Sequence, residues 1–99
     1  MQIIFGKENA DNLRDRYTVL ELETIEKDGI TIDAYCLIPG ELIKIEDLPH
    51  LAKLIELHEQ FVQANKDKDY TLCNQLAPLL LGQFGGELDS FYREIITRV

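Results

Sequence analysis

Two histidines are the first residues to ask for chemistry. His50 and His58 lie eight apart on one predicted helix, two turns and about 12 Å along its axis. That separation prevents them from sharing one metal ion. Asp47 and His50 stand at i, i+3 and make at most half a site, with no cysteine or third histidine near in sequence to complete it. His58 borders an apolar stripe, four residues after Leu54 and three before Phe61, and reads as a packed or half-exposed helix histidine. Asp67-Lys68-Asp69 begins like a calcium loop. The sixth and twelfth positions of such a loop need Gly and Glu, and here they are Leu72 and Pro78. The sequence therefore implies no metal and no cofactor.

Nucleophiles are few. Ser90 is the only serine, and no histidine is near it in sequence. Cys36 falls on the inward row of a predicted strand and Cys73 on the apolar face of a predicted helix. Both are places where cysteine acts as a small hydrophobe. Gly82-Gln83-Phe84-Gly85-Gly86 precedes a helix, and helix starts attract anions. It matches no phosphate-binding fingerprint, and Glu87 and Asp89 already supply negative charge to that helix end. A stop and restart between helices is the expectation there. No catalytic residue is assigned, and the reading leans away from an enzyme.

The most suggestive set is Glu21, Glu23 and Asp33. In the strand register chosen below, all three point away from the hydrophobic row and share that face with Tyr35. Acids around an aromatic anchor fit a docking surface for a basic groove. Phe84, flanked by glycines, is a further candidate if it is exposed. These five residues are the candidate partner-binding set.

The elements that would position them follow from periodicity. Residues 2–5 are apolar and β-branched and end at Gly6, which reads as a strand. Residues 9–16 form a short helix with Asn9 as N-cap. Residues 17–25 and 30–38 alternate and form a hairpin. A two-residue Asp28-Gly29 turn would pair Ile25 with Ile32 but bring Glu23 against Ala34. A three-residue loop with a bulge at Gly29 pairs Leu22 with Ala34 and Leu20 with Cys36. It keeps the apolar rows together, and the expectation is this second register. Helices are expected over 47–65 with Asp47 as N-cap, over 69–81 with a kink or break at Pro78, and over 87–98. The last has the cleanest stripe, through Leu88, Phe91, Tyr92, Ile95, Ile96 and Val99. The fold class is α+β: a three-stranded sheet packed on a C-terminal three-helix layer, as one domain over residues 1–99. The short helix allows the first two strands to run parallel.

Bulk properties bound the rest. Ninety-nine residues leave no room for two cores. The chain carries 18 acids against 10 Lys plus Arg, a net charge of −8. Residues 1–45 and 46–99 each hold nine acids and five bases, so there is neither an acidic tail nor a basic arm. Such a charge disfavours direct nucleic-acid binding. No apolar run approaches the ~20 residues of a membrane span, and the N-terminus lacks a signal-peptide pattern. Two cysteines are too few for a disulfide scaffold, and a cytoplasmic location is expected. The functional expectation is a small acidic interaction or regulatory module with a protein partner, basic or a second copy. The alternatives are an acidic inhibitor occupying a nucleic-acid-binding site, and a ligand-binding domain or enzyme with a pocket between sheet and helices.

Overall fold

A computed structural model describes residues 2–98 of the chain. It is an α+β fold. The strands are β1 (Gln2–Phe5), β2 (Tyr17–Lys27) and β3 (Ile30–Pro39). The helices are α1 (Lys7–Leu13), α2 (Leu51–Lys66), α3 (Tyr70–Leu80) and α4 (Asp89–Ile96). The strand order is β1-β3-β2, with both neighbours antiparallel to β3. The first two strands thus run parallel without touching, because β3 fills the space between them. Val99, the expected end of the last stripe, lies outside the described residues.

The hairpin satisfies both registers that the sequence poses. Asp28 and Gly29 form a two-residue turn with φ of 54° and 78°, the positive values of a type I′ turn. Lys27 therefore faces Ile30, and Ile25 faces Ile32. Farther in, Leu20 faces Cys36, as the hydrophobic rows demand. The one-residue difference is absorbed between Glu21 and Thr24, where Leu22 and Glu23 stand against the single residue Ala34. The expected three-residue loop is thus replaced by a tight turn plus a bulge inside β2. The Asp-Gly turn keeps its preferred length, and the bulge returns the inner part of the strand to the core register.

Each face of the sheet buries its own cluster. Leu20, Leu22, Ala34, Cys36 and Ile38 pack against α2, α3 and α4 through Phe61, Cys73, Leu76, Leu80, Leu88, Phe91, Tyr92 and Ile95. On the opposite face Val19, Tyr35 and Leu37 pack under α1 through Ala10, with Ile4, Leu13 and Tyr17 beside them. The molecule has three layers, where the sequence points to two.

Local chemistry corrects several boundaries. Gly6, not Asn9, precedes α1, and its N–H donates to the Asp33 carbonyl at 2.9 Å. Asn9 instead donates from Nδ2 to the Phe5 carbonyl, also at 2.9 Å. Residues 45–50 wind as a 3-10 segment rather than the start of α2. Pro49 has no N–H for an α-type bond, and tighter turns suit it. Asp69 caps α3, its Oδ1 accepting from Leu72 N at 3.2 Å. Pro78 does not divide α3, which runs on to Leu80 and stops there.

Gly85 sets the join between α3 and α4. Its φ is +67°, and a Cβ there would lie 2.8 Å from the Leu42 carbonyl oxygen. Gly85→Ala should therefore lower stability by about 2 kcal/mol or more, from left-handed strain plus a backbone clash. Urea unfolding reads this directly, and an unchanged midpoint would contradict the close approach.

Candidate functional site

The bulge in β2 decides what the far end of the hairpin presents. It places Ile25 beside Ile32 on the face that carries the helix layer, and puts Thr24 opposite Asp33 on the other. Residues 24–32 are all exposed. Ten residues of β3 extend about 33 Å, whereas the sixteen of α2 and the eight of α4 span about 24 Å and about 12 Å. The sheet outruns the helices that cover it.

Five large apolar side chains occupy this uncovered end. They are Ile3 and Phe5 from β1, Ile25 from β2, and Ile30 and Ile32 from β3. Phe5 is 53% exposed and Ile30 is 62% exposed. The pairings Ile3–Cys36, Phe5–Ala34 and Ile25–Ile32 put them on one face. A groove of about 210 Å³ lies where this face meets α4. Ile3, Phe5, Leu22, Ile25, Ala34 and Phe91 line it, with Glu23, Ser90 and Glu94 at its polar side. A contiguous apolar surface of this kind commonly marks an interaction site, whereas scattered exposed apolar residues do not.

The five residues singled out in the sequence do not assemble into one face. Glu21 stands opposite Tyr35, and its Oε1 receives Lys66 Nζ at 2.6 Å. Glu23, displaced by the bulge, turns toward the helix layer. There the Arg98 guanidinium grips both of its carboxylate oxygens, the Nη2–Oε2 bond being 3.1 Å, and Asn65 Nδ2 donates to Oε1 at 3.2 Å. The Arg98 bond, helped by Asn65, holds the Glu23 carboxyl below its usual range despite partial burial. Asp33 accepts a hydrogen bond from the Thr24 hydroxyl at 3.0 Å. Tyr35 is buried beneath α1, and burial followed by the charges of Asp33 and Glu21 pushes its phenol up. Phe84 is buried too, its ring set edge-on to His58 at 6.2 Å between centroids. Glu21 and Asp33 thus stay on the sheet face that carries Tyr35, while the bulge takes Glu23 to the other face and α1 covers the tyrosine.

The histidine that bordered the stripe is a structural centre. His58 is fully buried. Its Nε2 lies 2.6 Å from the Glu21 carbonyl oxygen, and its Nδ1 lies 2.8 Å from the Tyr92 hydroxyl. A carbonyl only accepts, so Nε2 carries the proton and Nδ1 accepts from the tyrosine. The ring is neutral, and burial lowers its pKa against the opposing pull of the Glu21 carbonyl. This bond ties α2 to the outer strand β2 and leaves neither ring nitrogen free for a substrate.

Other chemistry is sparse. Cys36 is buried, and burial pushes its thiol up to about 11. Cys73 is likewise buried and shifted up. Neither suits a thiolate nucleophile. No cluster of three or more His, Cys, Asp or Glu able to hold a metal ion occurs among the described residues. A polar cavity of about 320 Å³ opens at the β2 edge between α1 and α2, with Lys7, Arg14, Glu21, Glu59 and Lys66 among its walls. Two of its three bases are engaged with carboxylates, Arg14 with Asp11 and Lys66 with Glu21. No helix is long and apolar enough to cross a membrane.

Ile3, Phe5, Ile25, Ile30 and Ile32 were legible only as strand residues. Alternation assigns such residues to the core, and Ile30 and Ile32 read as continuous with Ala34, Cys36 and Ile38. The signal for their exposure is the length of the hairpin against that of the helices. No family model matches the chain, and no curated protein and no solved structure matches it either.

Proposed function

We propose that the protein is a non-catalytic interaction module that docks a protein partner on the uncovered end of its sheet. The observation that carries this reading is the set of five exposed apolar side chains gathered on one face beside a groove. A folded domain keeps such a surface at a cost in solubility, and burial against a partner offsets it. The engaged His58 ring and the two buried thiols favour binding over catalysis. Glu21 and Glu23 are each paired with a base and turn in different directions, which favours docking over mimicry of a phosphate backbone. A cytoplasmic setting suits two buried free cysteines.

The test is a double variant, Phe5→Ser with Ile25→Ser. Both residues are about half exposed, so the variant should unfold within about 2 kcal/mol of the parent. It should lose at least tenfold in affinity for whatever protein the parent binds in its native cells. A variant that keeps full binding would refute the assignment of this face.

A further inference from the structure

We propose that the groove receives an amphipathic helix with basic flanks, supplied by the protein partner. This rests on the docking reading above and adds the chemistry and shape of the occupant.

The helix layer sets the shape of the occupant. It covers the inner half of the sheet and ends where Phe91 and Glu94 of α4 form one wall of the groove. The sheet continues past that wall as an apolar floor through Phe5, Ile25 and Ile32. One further helix laid beside α4 would complete the layer. It would seat apolar side chains at i, i+3, i+4 and i+7 onto this floor.

The groove's ionisable groups set the charge of the occupant. They are two carboxylates, Glu23 and Glu94. Glu23 is held by Arg98, which does not line the groove. Glu94 is 71% exposed, and its contact to Arg98 is long at 3.4 Å. It is placed to meet a Lys or Arg on the flank of an incoming helix. Lys27 stands opposite Ile30 at the tip of the hairpin and marks the end of the surface that favours basic groups. The whole chain, at −8, attracts a basic segment and repels both a second copy and an anionic lipid surface.

The experiment titrates the isotope-labelled 99-residue chain with three 14-residue peptides and follows amide resonances. The first carries Leu and Lys at helical spacing. The second has Glu in place of Lys, and the third has the first peptide's composition in strict alternation. The first should shift and saturate the resonances of Phe5, Ile25, Ser90 and Glu94. Its affinity should fall at least fivefold in Glu94→Lys. Glu46→Lys makes the same change in net charge on a residue that does not line the groove, and there the affinity should fall less than twofold. Tighter binding of the Glu peptide or the alternating peptide at the groove would overturn the basic helix while leaving the docking face intact. So would concentration-dependent shifts of the same resonances in protein alone, which would name a second copy, or shifts caused by neutral lipid vesicles. Shifts scattered over the acidic surface and unchanged by Phe5→Ser would mean that charge alone is being read, and would overturn it as well. Silence of the groove toward every probe would overturn both this inference and the docking reading.

Discussion

Replacing His58 with alanine should cost about 4 kcal/mol of unfolding free energy. Two separate losses combine. The Glu21 carbonyl and the Tyr92 hydroxyl each lose a buried partner, at about 1–3 kcal/mol apiece. The ring also vacates space beside Phe84, Phe91 and Tyr92, and a cavity remains. Tyr92→Phe removes only one bond and should cost about 1–2 kcal/mol. A double-mutant cycle over the pair should therefore be strongly non-additive, since both single changes act on one hydrogen bond. Denaturant unfolding measures all of these. A His58→Ala loss below about 1 kcal/mol would mean that the buried network contributes little.

The same network predicts a pH dependence. Burial lowers the folded-state pKa of His58 beneath its ordinary value of 6.5. Between the lowered and the ordinary value, the unfolded chain binds a proton that the folded chain refuses. Stability is thus fully present above about pH 6.5 and falls as the pH drops toward the folded pKa, at about 1.4 kcal/mol per unit at most. The Glu23 carboxyl, shifted down from 4.5 by Arg98, contributes a loss only at more acid values. Unfolding curves between pH 8 and pH 5 should show the decline in the parent. His58→Gln should flatten it, because its amide does not titrate.

Phe61→Ala is the second large effect, at about 3–5 kcal/mol. Phe61 is fully buried where α2 meets α3 and α4. Its ring lies edge-on to Tyr92 at 5.0 Å and to Phe91 at 6.0 Å. Its carbonyl stands 3.9 Å from the Cys73 thiol. Truncation therefore removes two aromatic pairs as well as area, and a close-packed core relaxes only partly into the space left. A 99-residue domain holds about 5–15 kcal/mol in total, so this one change should remove a large fraction of its stability. Phe61→Leu keeps most of the volume and should cost less than half as much. Equal costs for the two variants would contradict the role assigned to the ring pairs.

The contrast between what the sequence discloses and what it conceals has physical causes. The stripe Leu88, Phe91, Tyr92, Ile95 is buried as its spacing predicts, because a helix meeting a core has one way to do so. The α+β class and the hairpin followed from alternation in the same way. The β2 bulge did not, because Glu21-Leu22-Glu23 alternates without a break. The conflict that creates the bulge, a two-residue Asp-Gly turn against a core one residue out of step, appears only when both strands are aligned. Tyr35 lies on the row opposite the main core, and that row looks solvated until α1 closes over it. His58 shows its position on the stripe, but its partners come from residues 34 and 37 positions away. The exposed apolar face was hidden for the opposite reason. Its isoleucines look like core, and only the shortfall of the helix layer exposes them.

The uncovered end of the sheet is proposed as a binding surface. That role is tested most directly by placing a photo-reactive phenylalanine analogue at position 5 and, separately, at position 79, in the protein's native cells. Phe5 and Leu79 are equally exposed, at 53% and 54%, and only the first lies on the proposed face. The account predicts a discrete crosslinked protein adduct from position 5 and none of comparable yield from position 79. Equal yields from both positions, or no adduct from position 5, would contradict it.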